Sequence, residues 1–408
     1  MAATSFPKAE IKIVLLENIH SSAVKSFETD GFKLFSYPKA LSEAELIEKA
    51  GDAHVLGIRS KTQVTEKYLQ EAKRLLAVGC FCIGTNQVKT KEAMRQGVPV
   101  FNAPFSNTRS VAELILAEIV ALARKLGDQN RFVHEGKWQK SASGCHEVRG
   151  KTLGIVGYGH IGSQVGVLAE SFGMNVIFFD IVTKMPIGNC EAVGSLDEVL
   201  GRSDFITFHV PETEQTKNMM TGLQLSKMKK GSYLLNASRG TVVDLKALKS
   251  HLSSGHLAGA ALDVFPEEPE GNDSIFKHEL QNQANVILTP HIGGSTEEAQ
   301  LNIGLEVSQS LKKFINNGNT SGSVNFPSVD LPLQNQAHRI LNVHKNVPGV
   351  LRDINSIVSE VGANIQAQYL STNSDIGYLI MDVDRALSDQ VKKRMSELSA
   401  SIKTRILY

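Results

Sequence analysis

The stretch Leu153-Gly154-Ile155-Val156-Gly157-Tyr158-Gly159-His160-Ile161-Gly162, followed by an amphipathic segment and then Asn175-Val176-Ile177-Phe178-Phe179-Asp180, decides how this chain is read. A short apolar run feeds a G-x-G-x-x-G turn, a helical pattern follows, and an acid ends the next apolar run. Each part has a physical task if a dinucleotide binds. Gly157 lets the chain turn sharply off a strand, Gly159 removes a side chain from the path of a pyrophosphate, and Gly162 lets the helix pack close to the strand. The phosphates would meet a helix N-terminus, where unpaired N–H groups and the positive dipole end favour an anion. Asp180 is placed to accept hydrogen bonds from an adenosine ribose. Its carboxylate would repel a 2′-phosphate, so NAD is expected rather than NADP. The alternative is a glycine turn of purely structural purpose; the strand before it, the helix after it and the acid at the next strand end argue against that.

Outside this stretch the bulk properties set limits. A chain of 408 residues is long enough for two or three domains. An apolar content of 42% with 21% charged residues is ordinary for a globular protein, and a net charge of +1 gives no reason to expect a nucleic acid or a membrane surface as partner. The apolar run Ile11 to Leu16 is too short for a signal peptide and is flanked by Glu10 and Glu17. Val111 to Leu126 holds Glu113 and Glu118 and is too short to span a bilayer. The four cysteines, Cys80, Cys82, Cys145 and Cys190, have no zinc-type spacing, so no metal is expected, and Cys80 and Cys82 read as buried thiols. A reducing, cytoplasmic location fits.

Residues 11 to 103 alternate short strands with helices, which implies a parallel sheet covered on both faces. This region lacks a glycine fingerprint and is the candidate substrate domain. Arg59 and Lys61 follow one of its strand ends, where ligands of open α/β sheets gather, and are anion-binding candidates; solvated surface charges are the alternative. Val111–Leu126 reads as a buried helix opened by a Ser110/Glu113 capping box, and Asn130 to Arg149 as a surface loop or oligomer contact. Six strands from Leu153 to Thr289 suit a complete Rossmann domain. A second capping box, Ser295 with Glu298, would open a helix that returns to the first domain. The expected domains are therefore residues 1–105 with 296–330, an inserted domain 106–295, and residues 337–408. Residues 318–337 read as a linker, and the last unit has the βαββαβ order of a ferredoxin-like module.

Arg239, Glu268 and His291 each follow a strand of the second domain. Hydride transfer from an alcohol to NAD needs a base near neutral pKa to take the hydroxyl proton, and His291 suits it. Glu268 would orient the imidazole and stabilise its protonated form. Arg239 offers a planar fork for a substrate carboxylate and a positive charge near the developing carbonyl oxygen.

With these residues in view, Val156–Gly162, Asn236–Gly240, Asp263–Pro269 and Thr289–Gly294 resemble the D-isomer-specific 2-hydroxyacid dehydrogenase family, in which arginine, glutamate and histidine occur in that order. The resemblance covers essentially the whole chain, including Ile83-Gly84-Thr85-Asn86-Gln87 and Phe101–Ser110. It is strongest to shorter bacterial members that oxidise 3-phospho-D-glycerate to 3-phosphohydroxypyruvate with NAD, the first step of L-serine biosynthesis. It implies that His160 and Ile161 cover the pyrophosphate and that Asp180 binds ribose. It also implies that Ala237, Ser238, Arg239, Asp263, His291, Ile292, Gly293 and Gly294 line the nicotinamide. Arg59, Lys61 and Lys140 match positions that meet the substrate phosphate; Lys61 stands where bacterial members often have arginine, so the charge is kept and the bidentate fork is not. The C-terminal unit is similar to an ACT domain, which implies L-serine as effector at His344, Asn346 and Asn364, and a homotetramer. The other readings are a glyoxylate or hydroxypyruvate reductase and a non-catalytic NAD(H)-sensing protein. The former lacks a use for the basic residues and the C-terminal module, and the latter for Arg239, Glu268 and His291.

Overall fold

The computed structural model describes residues 7–269, 275–334 and 337–407. Two compact units divide the chain: Met1–Ser106 with Gln300–Tyr408, and Asn107–Ala299.

In the first unit, strands β1 (Lys12–Leu15), β2 (Lys33–Ser36), β3 (Val55–Ile58), β4 (Ala77–Cys80) and β5 (Val100–Phe101) form a parallel sheet of order 2-1-3-4-5. This is the flavodoxin-like order, with its switch point between β1 and β3. Alternation along the strands serves two cores. Val14, Leu56, Ile58 and Val78 face one side; Ile13, Leu15, Val55 and Ala77 face the other, against Ile303, Val307, Leu311 and Phe314 of the helix Glu297–Asn317.

The second unit carries β6 (Thr152–Val156), β7 (Asn175–Phe179), β8 (Glu191–Ala192), β9 (Phe205–Phe208), β10 (Ser232–Asn236), β11 (Leu257–Leu262) and β12 (Val286–Leu288). All pair in parallel in the order 12-11-10-9-6-7-8, a Rossmann sheet with one strand more than the sequence suggests. The extra strand is Glu191–Ala192, two exposed residues with no apolar pattern to reveal them. Helix Thr108–Ala123 packs one face of this sheet. It starts two residues before Ser110, so the expected capping box is absent: Ser110 Oγ meets Thr296 Oγ1 at 2.7 Å, and Glu113 pairs with Arg109. The helix breaks where Lys125 takes a left-handed conformation, and a second helix, Leu126–His134, runs into the stretch read as a loop. The box at Ser295 is likewise replaced: Thr296 Oγ1 accepts from Ala299 N at 3.1 Å.

Strands β13 (Ala337–Lys345), β14 (Ile365–Thr372), β15 (Ile376–Asp384) and β16 (Ser401–Leu407), with helices Val350–Val361 and Ser388–Ser396, make the expected ferredoxin-like module around an antiparallel sheet of order 14-15-13-16. The central strands β13 and β15 are buried on both faces. Leu379, Met381 and Val383 pack on the module's own helices, while Leu341, Val343, Tyr378 and Ile380 join the core of the five-stranded sheet and the helix Glu297–Asn317. Residues 335 and 336 of the segment read as a linker lie outside the described residues; the part of it before them is packed. Asn325 donates to Thr90 O and Val98 O and accepts from Val100 N, and Thr320 Oγ1 donates to Pro327 O. Arg339, 2% exposed, holds Asp382 in a bidentate pair and spends its remaining donors on Asn317 O, Leu331 O and Pro332 O. A buried charge so fully partnered ties the segment to the sheet.

Candidate active site

Each glycine of the fingerprint meets a different demand. Gly157 sits at φ +92°, and a side chain there would run into His209 O and, at 3.0 Å, Val210. Gly162 would collide with Gly157 O, so helix His160–Ser171 lies directly on the turn. At Gly159 an added Cβ meets nothing within 4 Å; the backbone there is bare and open, as the approach of a phosphate requires. Asp180 is tied to the turn: its Oδ2 accepts from Tyr158 N at 2.8 Å and its Oδ1 from Val182 N at 3.0 Å. Tyr158 stacks on Phe178 at 3.7 Å, which locks the turn to β7. His160 and Ile161 form the first turn of the helix. These residues fit a dinucleotide pyrophosphate and ribose.

The loops after β10, β11 and β12, three neighbouring strands, carry Arg239, Glu268 and His291. After β10, buried Asn236 acts as a splint: its Oδ1 accepts from Ser238 N and Oγ, and its Nδ2 donates to Arg239 O at 2.9 Å. Ala237 and Ser238 are thereby fixed. Gly240 leaves no room for a side chain because the Phe265–Pro266 backbone lies against it, so the Arg239 loop sits on the Glu268 loop. Arg239 Nη1 donates to Ser238 O at 2.7 Å.

His291 Nδ1 and Glu268 Oε2 are 2.8 Å apart, and the other carboxylate oxygen of Glu268 accepts from Phe265 N at 3.1 Å. The bond to Glu268 raises the His291 pKa above its ordinary value, against the opposing effect of burial. For Glu268 burial is the largest influence and acts upward. The bonds from His291 and Phe265, with the charges of His291 and Arg239, together outweigh it and hold the carboxyl below its usual range. With Nδ1 directed at Glu268, Nε2 is left for a substrate, and the His291 side chain is 54% exposed. His291 itself sits at φ +54°, a conformation that costs an L-residue about 1 kcal/mol.

Asp263 explains how that turn is held. It is 1% exposed, and its two oxygens accept from Thr289 Oγ1 at 2.6 Å, Ile292 N at 2.8 Å and Gly293 N at 2.7 Å. These bonds shape the His291 loop. Gly293 and Gly294 leave space for Asp263 and Asn107 respectively. Asn236 and Thr289 were not foreseen as site residues; their positions flanking Arg239 and His291 at strand ends were the available signal.

In the first unit, the loop after β3 folds around Glu17, whose carboxylate accepts from Arg59 N, Lys61 N and Thr62 N at 3.3, 3.0 and 2.9 Å. Gln87 Nε2 donates to Arg59 O at 2.6 Å. Lys61 is exposed and Arg59 half-buried, with its Nη1 3.5 Å from Glu17 O. Lys140 lies exposed in the irregular stretch after helix Leu126–His134. In the C-terminal module, His344 is 3% exposed, with Nδ1 on Asn342 Oδ1 at 2.9 Å and its ring over Gly377. Asn346 is exposed and donates to Asn373 O at 2.6 Å, while the exposed Asn364 bonds through its backbone to Asp384 at 3.1 Å. Among the described residues no hydrogen bond joins these three to one another.

Comparisons with known proteins agree with this layout. Residues 116–293 match the D-isomer specific 2-hydroxyacid dehydrogenase NAD binding domain, and residues 340–403 match the ACT domain of the type found in the AHAS small subunit. The D-3-phosphoglycerate dehydrogenase of Dictyostelium discoideum is 58% identical over 405 residues, covering 99% of each chain. That of Escherichia coli K12 is 50% identical over 411 residues, covering 100% of each. The NAD-complexed D-isomer specific 2-hydroxyacid dehydrogenase of Lactobacillus delbrueckii ssp. bulgaricus superimposes with a TM-score of 0.69 at 25% identity, over 77% of this chain and 100% of its own. This chain belongs to the D-isomer specific 2-hydroxyacid dehydrogenase family and carries that family's NAD binding domain.

Proposed function

We propose that this chain oxidises the C2 hydroxyl of 3-phospho-D-glycerate to give 3-phosphohydroxypyruvate, the entry step of L-serine synthesis. The observation that carries the reading is the His291–Glu268 pair, bonded at 2.8 Å beside Arg239 on neighbouring strands of an NAD binding domain. Relatives 58% and 50% identical over the full chain bear the name D-3-phosphoglycerate dehydrogenase. NAD, when bound, supplies the hydride acceptor. His291 Nε2 takes the hydroxyl proton, and the Glu268 carboxylate stabilises the imidazolium that results. Arg239 binds the substrate carboxylate and sets a positive charge by the forming carbonyl. Gly157, Gly159, His160, Ile161, Gly162 and Asp180 hold the pyrophosphate and ribose. Arg59, Lys61 and Lys140 serve the substrate phosphate, two of them on a loop whose backbone Glu17 has already gathered.

The C-terminal module, residues 337–408, is the regulatory part of this reading. Asn346 and Asn364 offer exposed amides for the carboxylate and ammonium of L-serine, and buried His344 backs the strand that leads to Asn346. A homotetramer and a cytoplasmic location belong to the same proposal; among the described residues no helix is long and apolar enough to cross a membrane. The test is NADH oxidation by the purified chain with 3-phosphohydroxypyruvate, with and without L-serine. Turnover that serine suppresses supports both parts. Absent turnover, or equal rates on unphosphorylated hydroxypyruvate, refutes the assignment.

A further inference from the structure

One buried acid near the site has no use in the chemistry above. Glu118, in the helix Thr108–Ala123, is 4% exposed, and its Oε1 is enclosed with no hydrogen-bond partner among the described residues. A carboxylate in that condition is costly, and a carboxylic acid much less so. The helix places it with care. Val111 and Leu114 reach Gly293, lying 3.4 and 3.8 Å from where its Cβ would be. Leu122 O accepts from Asn285 Nδ2 at 3.2 Å, and that amide also donates to Ala258 O in β11. Residues 111, 114, 118 and 122 share one helical face, so Glu118 lies on the side turned to β11 and the His291 loop, between those two contacts. Among the described residues the one charge that acts on it is the Asp263 carboxylate.

From this placement we propose that Glu118 is a positioning residue: kept as the neutral acid, it backs Asp263 so that Asp263 can gather Thr289, Ile292 and Gly293 and fix His291. Two adjacent buried carboxyls cannot both be anions cheaply. Asp263 accepts from three donors, whereas Glu118 Oε1 has none among the described residues, so the proton resides on Glu118. Burial first, and then the Asp263 charge, push the Glu118 pKa up to about 8. Above that pH a second negative charge forms behind Asp263 and loosens the loop. The inference rests on the dehydrogenase reading for its catalytic consequence, but the protonation of Glu118 can be read without activity.

The experiment uses the full chain and the variants Glu118→Gln and Glu118→Ala. Glutamine mimics the neutral acid and cannot ionise. In the oxidation direction at neutral pH, Glu118→Gln is expected to stay within about threefold of the wild type, while Glu118→Ala loses roughly tenfold or more in kcat as the loop shifts. The wild-type rate falls off above about pH 8 and the Gln variant keeps its plateau. Independently, a group whose folded pKa is raised contributes stability at low pH that is lost as pH rises toward that pKa. The Tm of Glu118→Gln minus that of the wild type should therefore grow from about pH 5 to about pH 8. A Tm difference that does not change with pH overturns the neutral acid, and a Gln variant as impaired as Ala at every pH overturns the positioning role. Wild-type protein without NAD-dependent turnover would defeat the dehydrogenase reading and leave the Tm measurement to judge Glu118 alone.

Discussion

Glu17 and Asp263 are the buried acids at the carboxyl ends of the two parallel sheets, and each binds the loop of the neighbouring strand. Glu17 follows β1 and accepts from the backbone of Arg59, Lys61 and Thr62 after β3. Asp263 follows β11 and accepts from Thr289, Ile292 and Gly293 after β12. In both places charge-assisted bonds from backbone N–H groups fix a loop and leave its side chains free for other work. The displays differ. The first loop carries two cations that can only attract and orient an anion. The second carries a histidine coupled to Glu268, with a pKa set by that partner, and a second buried acid stands behind it. A carboxylate that collects backbone amides builds a platform; whether the platform binds or reacts depends on whether its side chains are coupled to one another.

If that contrast is right, the two loops fail differently. His291→Ala should lower kcat by roughly 10²–10⁴-fold, the usual worth of a positioned base, with NAD affinity nearly unchanged. Steady-state kinetics together with a cofactor titration would show it, and a loss confined to KM would break the comparison. Arg59→Ala should instead raise KM for the phosphorylated substrate about 10- to 100-fold, from a charge-assisted bond of about 1.5–3 kcal/mol, with little change in kcat or in KM for hydroxypyruvate.

Removing the acids should sharpen the contrast further. Asp263→Ala and Glu17→Ala each leave buried donors unpaired and should cost about 1–3 kcal/mol per donor in denaturant unfolding. Only Asp263→Ala should also reduce kcat; an equal reduction in both would mean that the loops are not independent. The pH profile follows from the partner of His291. Oxidation requires neutral imidazole, so its rate should rise with pH through a pKa above the ordinary histidine value. Glu268→Gln removes the largest raising influence and leaves burial, so the rise should move to lower pH; an unmoved inflection would dissociate His291 from the profile. The smallest effect belongs to Lys61→Ala. An exposed charge of at most about 1 kcal/mol should change KM by no more than about fivefold.

Much of this was legible without coordinates because it lay in local patterns. The fingerprint around Gly157, Gly159 and Gly162 has a fixed meaning in backbone geometry, and the buried strands announce themselves as apolar runs. Arg239, Glu268 and His291 could be paired because parallel strands deliver their ends to one edge. What escaped was anything that depends on a distant neighbour. Ser110 and Ser295 looked like caps, yet Ser110 bonds Thr296, and Thr296 caps the helix that follows it. Residues 318–337 looked like a linker because Asn, Ser, Gly and Pro dominate; within them Asn325 and Thr320 use their polar groups to satisfy the backbone around β5 and their own turn. Asp263 and Glu118 looked like, respectively, a cofactor contact and one more acid on an apolar helix.

By itself, then, the sequence determined the two α/β units, the dinucleotide turn, the placing of Arg239, Glu268 and His291 at strand ends and the C-terminal module, since each is encoded by periodicity or by residues a few positions apart. Only the tertiary structure decided which loop each acid holds. It also decided that His291 occupies a left-handed turn and that the central strands of the C-terminal sheet are buried on both faces. Those properties come from burial and from bonds between residues tens to hundreds of positions apart, and neither exists until the chain has folded.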